Sequence, residues 1–215
     1  MNQLSRILSW VFLPLSAPVF ALLIACYVPA DTVMGRNEVV YLIPDDWKML
    51  LLLMFTFFSI LIPGFTILFL KFSGSITTVM MDSRRERMIP SFFVNVSAVA
   101  LFYLVHLKDP NSLLPTAVYA LCIGSLATVL TCTVITNWWK VSLHAAGMGI
   151  LTGFLFAYYS GLDYFTFWIL PAAVIASGIV MSARIYLGKH SLAQCFVGYF
   201  IGVTTLAATV LFFRS

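Results

Sequence analysis

Six stretches of this chain run for twenty residues or more without an Asp, Glu, Lys or Arg: Ile7–Ala30, Met49–Leu70, Leu113–Trp139, Val141–Leu162, Tyr164–Ala183 and Ser191–Phe213. Each can cross a hydrocarbon core of ~30 Å as a helix rising ~1.5 Å per residue. A seventh run, Ser91–Leu107, is shorter. Lipid offers no hydrogen-bond partner to a main chain, so a spanning segment is a helix or part of a closed barrel, and these continuous apolar runs lack the alternation of a barrel strand. Composition agrees. The chain is 61% hydrophobic and 9% charged, against roughly 45–50% and about 25% in soluble domains. The expectation is all-α: a polytopic integral membrane helical bundle with six to seven transmembrane helices, folded as a single domain over residues 1–215.

Arg6 precedes the first apolar run, and Leu23-Ile24-Ala25-Cys26 has the form of a lipoprotein cleavage site. The run is long enough to remain as a helix, and that is the expectation, with Pro14 and Pro18 kinking it or marking an interfacial start. The cysteines Cys26, Cys122, Cys132 and Cys195 lie in apolar runs without the spacing of zinc or redox motifs, so they are expected as packing residues. Gly149/Gly153 and Gly198/Gly202 have the Gly-x-x-x-Gly spacing that lets helix backbones approach closely.

If all seven runs cross, the N-terminus shares one face with the loops after the second, fourth and sixth. That face carries Arg6, Lys71, Arg84, Arg85, Arg87, Lys140, Arg184 and Lys189 against Asp82 and Glu86, a net +6, while the other face is net −2. Two physical accounts compete: the positive-inside rule and an anion-binding site that gathers cations. Setting aside the six basic residues placed below near a site leaves two on the basic face and four opposite, so orientation stays open.

Three clusters lie on the basic face. The first is Trp138-Trp139-Lys140-Val141-Ser142-Leu143-His144; ionisable groups at a membrane edge are functional candidates, and a plain capped helix start, with Ser142 near the N-cap and Lys140 snorkelling, is the alternative. The second runs from Arg184 to His190, with Gln194 four residues beyond His190, stacked next to it on a helix and able to accept from one ring nitrogen. Two of the three histidines, His144 and His190, fall on this basic face, while His106 is expected at the opposite interface. The third, Asp82 to Pro90, holds Arg84, Arg85 and Arg87, whose forked donors suit phosphate oxygens. Phosphoryl transfer fits this set: cations neutralise the phosphoryl oxygens, one histidine attacks phosphorus and the other protonates the leaving oxygen. No metal or other cofactor is required, and the face lacks a carboxylate set for magnesium.

These residues resemble the type-2 phosphatidic acid phosphatase superfamily over roughly Lys71 to Gly202. The family's Pro-Ser-Gly-His appears as Val141-Ser142-Leu143-His144. Its Ser-Arg, five residues, His, three residues, Asp appears as Ala183-Arg184, five residues, His190, three residues, Gln194. The resemblance implies His190 as a nucleophile forming a phosphohistidine, His144 as general acid, and Ser142 and Arg184 as phosphate ligands, with Lys140 beside them. The family's first signature, Lys, six residues, Arg-Pro, is degenerate: Asp82 and Ile89 stand at its Lys and Arg. Its duty falls to Arg84, Arg85 or Arg87, as in a divergent bacterial subgroup with an Arg-x-Glu-Arg loop, which implies a bacterial inner membrane. Gln194 replaces a carboxylate. An amide oxygen fixes the tautomer of His190 but does not offset the positive charge formed during attack.

The implied activity is metal-independent hydrolysis of a membrane lipid phosphomonoester or pyrophosphate, with the bilayer and its lipids as partners and no nucleic acid. The alternatives are a catalytically silent relative that binds or moves phospholipids, and a lipid phosphotransferase. A prenyl transferase is disfavoured for want of aspartate-rich motifs, and a retinal protein for want of a lysine in the last run.

Overall fold

The computed structural model describes residues 12–32, 38–76 and 84–214, together with Gln3, Ser5, Ile7 and Ser9; Arg6, Arg36, Asp82 and the side chains of Arg84, Arg85 and Arg87 lie outside the described residues. The described chain opens with a 3-10 turn at Pro14–Ser16 and α1 at Ala17–Tyr27. Pro14 and Pro18 each stand in the first turn of these elements, where a missing N–H leaves no bond unmade. α2 (Asp45–Thr56) begins with Asp45 and Asp46 at the positive end of its dipole. It continues through a π turn at Phe57–Leu61 into α3 (Ile62–Phe72). Pro63 cannot donate to the turn before it, and the Ser97 hydroxyl donates to the Phe58 carbonyl there, so the irregular turn is supported within the bundle.

α4 (Arg84–Lys108), α5 (Thr116–Ile135), α6 (Leu143–Tyr159), α7 (Ile169–Tyr186) and α8 (Leu192–Arg214) follow. Two short strands, β1 (Ala30–Asp31) and β2 (Tyr164–Phe165), pair antiparallel with Ala30 opposite Phe165. Among the described residues, five segments are long and apolar enough to cross a membrane: Asp45–Phe72, Met88–Lys108, Thr116–Ile135, Ile169–Tyr186 and Leu192–Arg214. The protein is thus an all-α bundle built for a bilayer. Six to seven were expected; the other two apolar helices, Pro14–Tyr27 and Leu143–Tyr159, are shorter. The apolar run at Val141–Leu162 shrinks because Ser142 caps α6 at one end and the chain turns at Ser160 at the other.

α6 is the hub. Every residue in it except Leu143, His144 and Phe156 is buried. It meets α8 backbone to backbone: a methyl group on Gly198 would stand 2.5 Å from the Ser142 carbonyl, one on Gly153 would stand 2.6 Å from the Val203 carbonyl, and Gly149 and Gly202 face Tyr199 and Ala146 more closely still. The two glycine spacings seen in the sequence form this seam. All four cysteines are buried free thiols within the packing.

At the end of the bundle remote from the α6 N-terminus, Asp109 caps the turn that leads into α5. Its carboxylate accepts from the Leu113 and Leu114 N–H groups at 2.8 and 2.9 Å and from the Tyr119 hydroxyl at 2.9 Å. Burial alone would raise its pKa, but these bonds outweigh burial and hold it below the usual carboxylate value. The folded pKa therefore lies below the unfolded one, near ~3.9. Asp109 contributes stability that is full above the unfolded pKa and is lost as pH falls through the folded pKa. Asp109→Asn is expected to cost about 1–3 kcal/mol at neutral pH and to flatten the acid limb. Thermal unfolding of both chains between neutrality and strong acid measures this as two curves that converge at low pH.

Candidate functional site

Three helix ends, each terminated by a sequence-local device, build the site. At the first, Ser142 has extended dihedrals and its hydroxyl accepts from the Ala145 N–H at 3.4 Å, so it is the N-cap of α6. Ser142 is fully buried, and its main-chain N–H donates to the Gln194 carbonyl at 3.2 Å, tying the start of α6 to the start of α8. Its observed partners are structural.

The second end is the C-terminus of α7. Gly188, at φ +65°, donates to the Ile185 carbonyl at 2.9 Å, and Lys189 donates to the Arg184 carbonyl at 3.1 Å. Paired bonds of this kind with a left-handed glycine stop a helix. The turn delivers His190 to the third end.

There Ser191 and Gln194 form a capping box. The Gln194 N–H donates to the Ser191 hydroxyl at 3.3 Å, and the Ser191 N–H donates to Gln194 Oε1 at 3.1 Å. His190 Nδ1 lies 3.2 Å from the same Oε1. The Ser191 N–H can only donate, so the amide atom facing it is the oxygen, and the His190 Nδ1 facing that oxygen carries the proton. In the neutral ring Nε2 is then the acceptor nitrogen. Gln194 serves helix start and histidine with one atom.

Arg184 comes down from α7 between these ends. It is 7% exposed, and its Nε is buried without a hydrogen-bond partner. A buried guanidinium is normally paired. The Ser142–Gln194 main-chain bond brings the helix starts beside His144 and His190 together, and Arg184 leads into the turn that joins α7 to His190, so the three lie at one end of the bundle. His144 Nε2 lies 3.2 Å from the Ser9 carbonyl.

Of the residues singled out in the sequence, His144, Ser142, Arg184, His190 and Gln194 come together. Lys140 stands half-buried just before the α6 cap, with Trp138 and Trp139 exposed beside it as at a membrane interface. The main chain of α4 begins at Arg84, while the side chains of Arg84, Arg85 and Arg87 lie outside the described residues. His106 is at the far end of α4, stacked on Phe102. Sequence reasoning missed Ser9 and Ser191. The Ser-x-x-Gln pattern from Ser191 to Gln194 was a readable capping signal; nothing local announced Ser9.

A cavity of 420 Å³ lined by Glu38, Thr116, Tyr158, Asp163 and Arg214 sits at the other end of α6, roughly 20 Å from His144 at ~1.5 Å per residue. Among the described residues no group of three or more His, Cys, Asp or Glu side chains is arranged to hold a metal ion. The histidine and arginine set can accept an anion, hold an imidazole lone pair beside it and offer a second imidazole proton. Comparison with known proteins returns no match: no described family, no curated protein and no solved structure matches this chain.

Proposed function

We propose that the protein is a metal-independent membrane phosphatase that hydrolyses a lipid phosphomonoester or pyrophosphate through a phosphohistidine, in the manner of type-2 phosphatidic acid phosphatases. The observation that carries this is the buried Arg184, whose Nε has no partner, grouped with His144 and His190. A phosphate oxygen would satisfy that donor. His190 Nε2, with its lone pair, would attack phosphorus; Gln194 would hold Nδ1–H; His144 would protonate the departing oxygen; Lys140 and the arginines at 84, 85 and 87 would add positive charge around the headgroup. We also propose that α6 crosses as a sixth span despite its length, since ~17 residues is the lower limit for crossing, and that the protein resides in a bacterial inner membrane.

Gln194 favours a second possibility, a silent relative that binds lipid phosphates without turnover. Its oxygen is shared between Ser191 and His190 and bears no charge to balance an imidazolium.

Phosphate release over a panel of lipid phosphates, with and without chelator, tests the proposal. Release that survives chelator, with label trapped on histidine, is expected; no release from any member of the panel would sink it. Gln194→Glu keeps the capping-box geometry and supplies the missing carboxylate, so it is expected to raise kcat about tenfold. A rate that appears only in the Glu chain would favour the silent relative.

A further inference from the structure

The ring of His144 has a partner outside the helices that carry the other site residues. Its Nε2 lies 3.2 Å from the main-chain carbonyl of Ser9, a residue 135 positions earlier and only 8% exposed. A carbonyl only accepts, so Nε2 carries the proton in this contact. We propose that the N-terminal segment is a wall of the site and that the Ser9 carbonyl is a positioning group for His144, an inference that rests on the phosphatase assignment above.

Packing holds the segment there. Gly147 lies one turn beyond His144 on the same side of α6, since residues three apart stack on a helix. A methyl group on Gly147 would stand 3.0 Å from Pro14 Cα and 3.2 Å from the Pro14 carbonyl, so the main chain of the segment rests directly on the helix. The Ser16 hydroxyl, donating to the Leu13 carbonyl at 2.8 Å, fixes the turn that follows, and the Ser9 hydroxyl donates to the Ser5 carbonyl at 2.9 Å. A side chain at 147 would press on the Pro14 main chain and push the segment that carries Ser9 outward by at least a few tenths of an ångström.

The contact suits a general acid. With both ring nitrogens protonated, Nε2–H donates to Ser9 while Nδ1–H is the proton available to a leaving oxygen. Once that proton has moved to the oxygen, the neutral ring is the Nε2–H tautomer, the form the carbonyl already holds. In the second half-reaction Nδ1 takes a proton from the attacking water, and the ring returns to its starting state. Ser9 thus does for His144 what Gln194 does for His190: each accepts from one ring nitrogen and so fixes which nitrogen is the donor.

Gly147→Val tests this in the intact chain, with Gly147→Ala as the milder wedge and Gly178→Val as control, since nothing lies within 4 Å of a methyl group at 178. The chain has three histidines, so ring nitrogen signals in ¹⁵N-histidine-labelled protein are assignable by substitution. When the ring is titrated to its neutral form, His144 of the unaltered protein is expected to carry its remaining proton at Nε2. Gly147→Val should shift those signals toward the averaged values of an exchanging ring and lower kcat about tenfold with KM within about twofold, and Gly178→Val should do neither. Unchanged ring signals in both wedge variants overturn the proposal alone. Altered signals with equal or higher kcat overturn it too, because the segment would then obstruct His144. A complete lack of phosphate release by the unaltered protein overturns the assignment beneath it, and the catalytic role with it.

Discussion

Alanine at position 190 is expected to cut phosphate release by at least about a thousandfold, roughly 4 kcal/mol of transition-state stabilisation, and to abolish trapping of label on the protein. The magnitude follows from the role: without a nucleophile, water must attack phosphorus directly, and the remaining groups supply only binding and charge. The fold should persist. The Ser191 hydroxyl and Gln194 still satisfy each other in the capping box without the imidazole, so α8 starts at the same residue. Wild-type-like unfolding together with lost release is the expected pair of measurements. Release at the unaltered rate would remove His190 from the chemistry.

Arg184→Met carries a second, opposed pair of effects. Activity is expected to fall about a hundredfold or more, the scale seen when one preorganised donor to a developing charge is removed. Stability should hold or rise by about 1 kcal/mol, because methionine fills much of the same volume and removes a buried cation whose Nε has no partner. A structural arginine gives the reverse: its loss unfolds the protein and leaves surviving molecules active. Measuring unfolding and turnover on the same preparations separates the two. The Arg184 carbonyl, which accepts from Lys189 in the turn after α7, is retained by any side chain at this position.

The bilayer-spanning character was legible because a main chain in lipid has few options, and charge-free runs record them directly. The His190–Gln194 pair was legible from spacing: the two are helical neighbours, and the structure bonds them. The glycine pairs announced a close seam, and the structure supplied which helices share it. Other features depend on tertiary placement. Ser142 reads equally well as a cap or as a ligand until its burial and its contacts with Ala145 and Gln194 are known. The π turn at Phe57–Leu61 lies in an unbroken apolar run and depends on Ser97 from another helix. Ser9 meets His144 across most of the chain, and no local pattern encodes such a contact.

The glycine seam between α6 and α8 bears on which molecules can be substrates. Because the two main chains touch with no layer of side chains between them, the gap separating the helix ends that carry His144 and His190 is set by peptide geometry, like the jaw width of a fixed wrench. Substitutions elsewhere in the bundle cannot widen it gradually. If the proposed phosphatase assignment holds, discrimination among lipid headgroups would reside in the parts not welded to the seam: α7, which brings Arg184, and the N-terminal segment resting on Gly147. Variants sought for altered headgroup preference should accumulate there and spare the glycines.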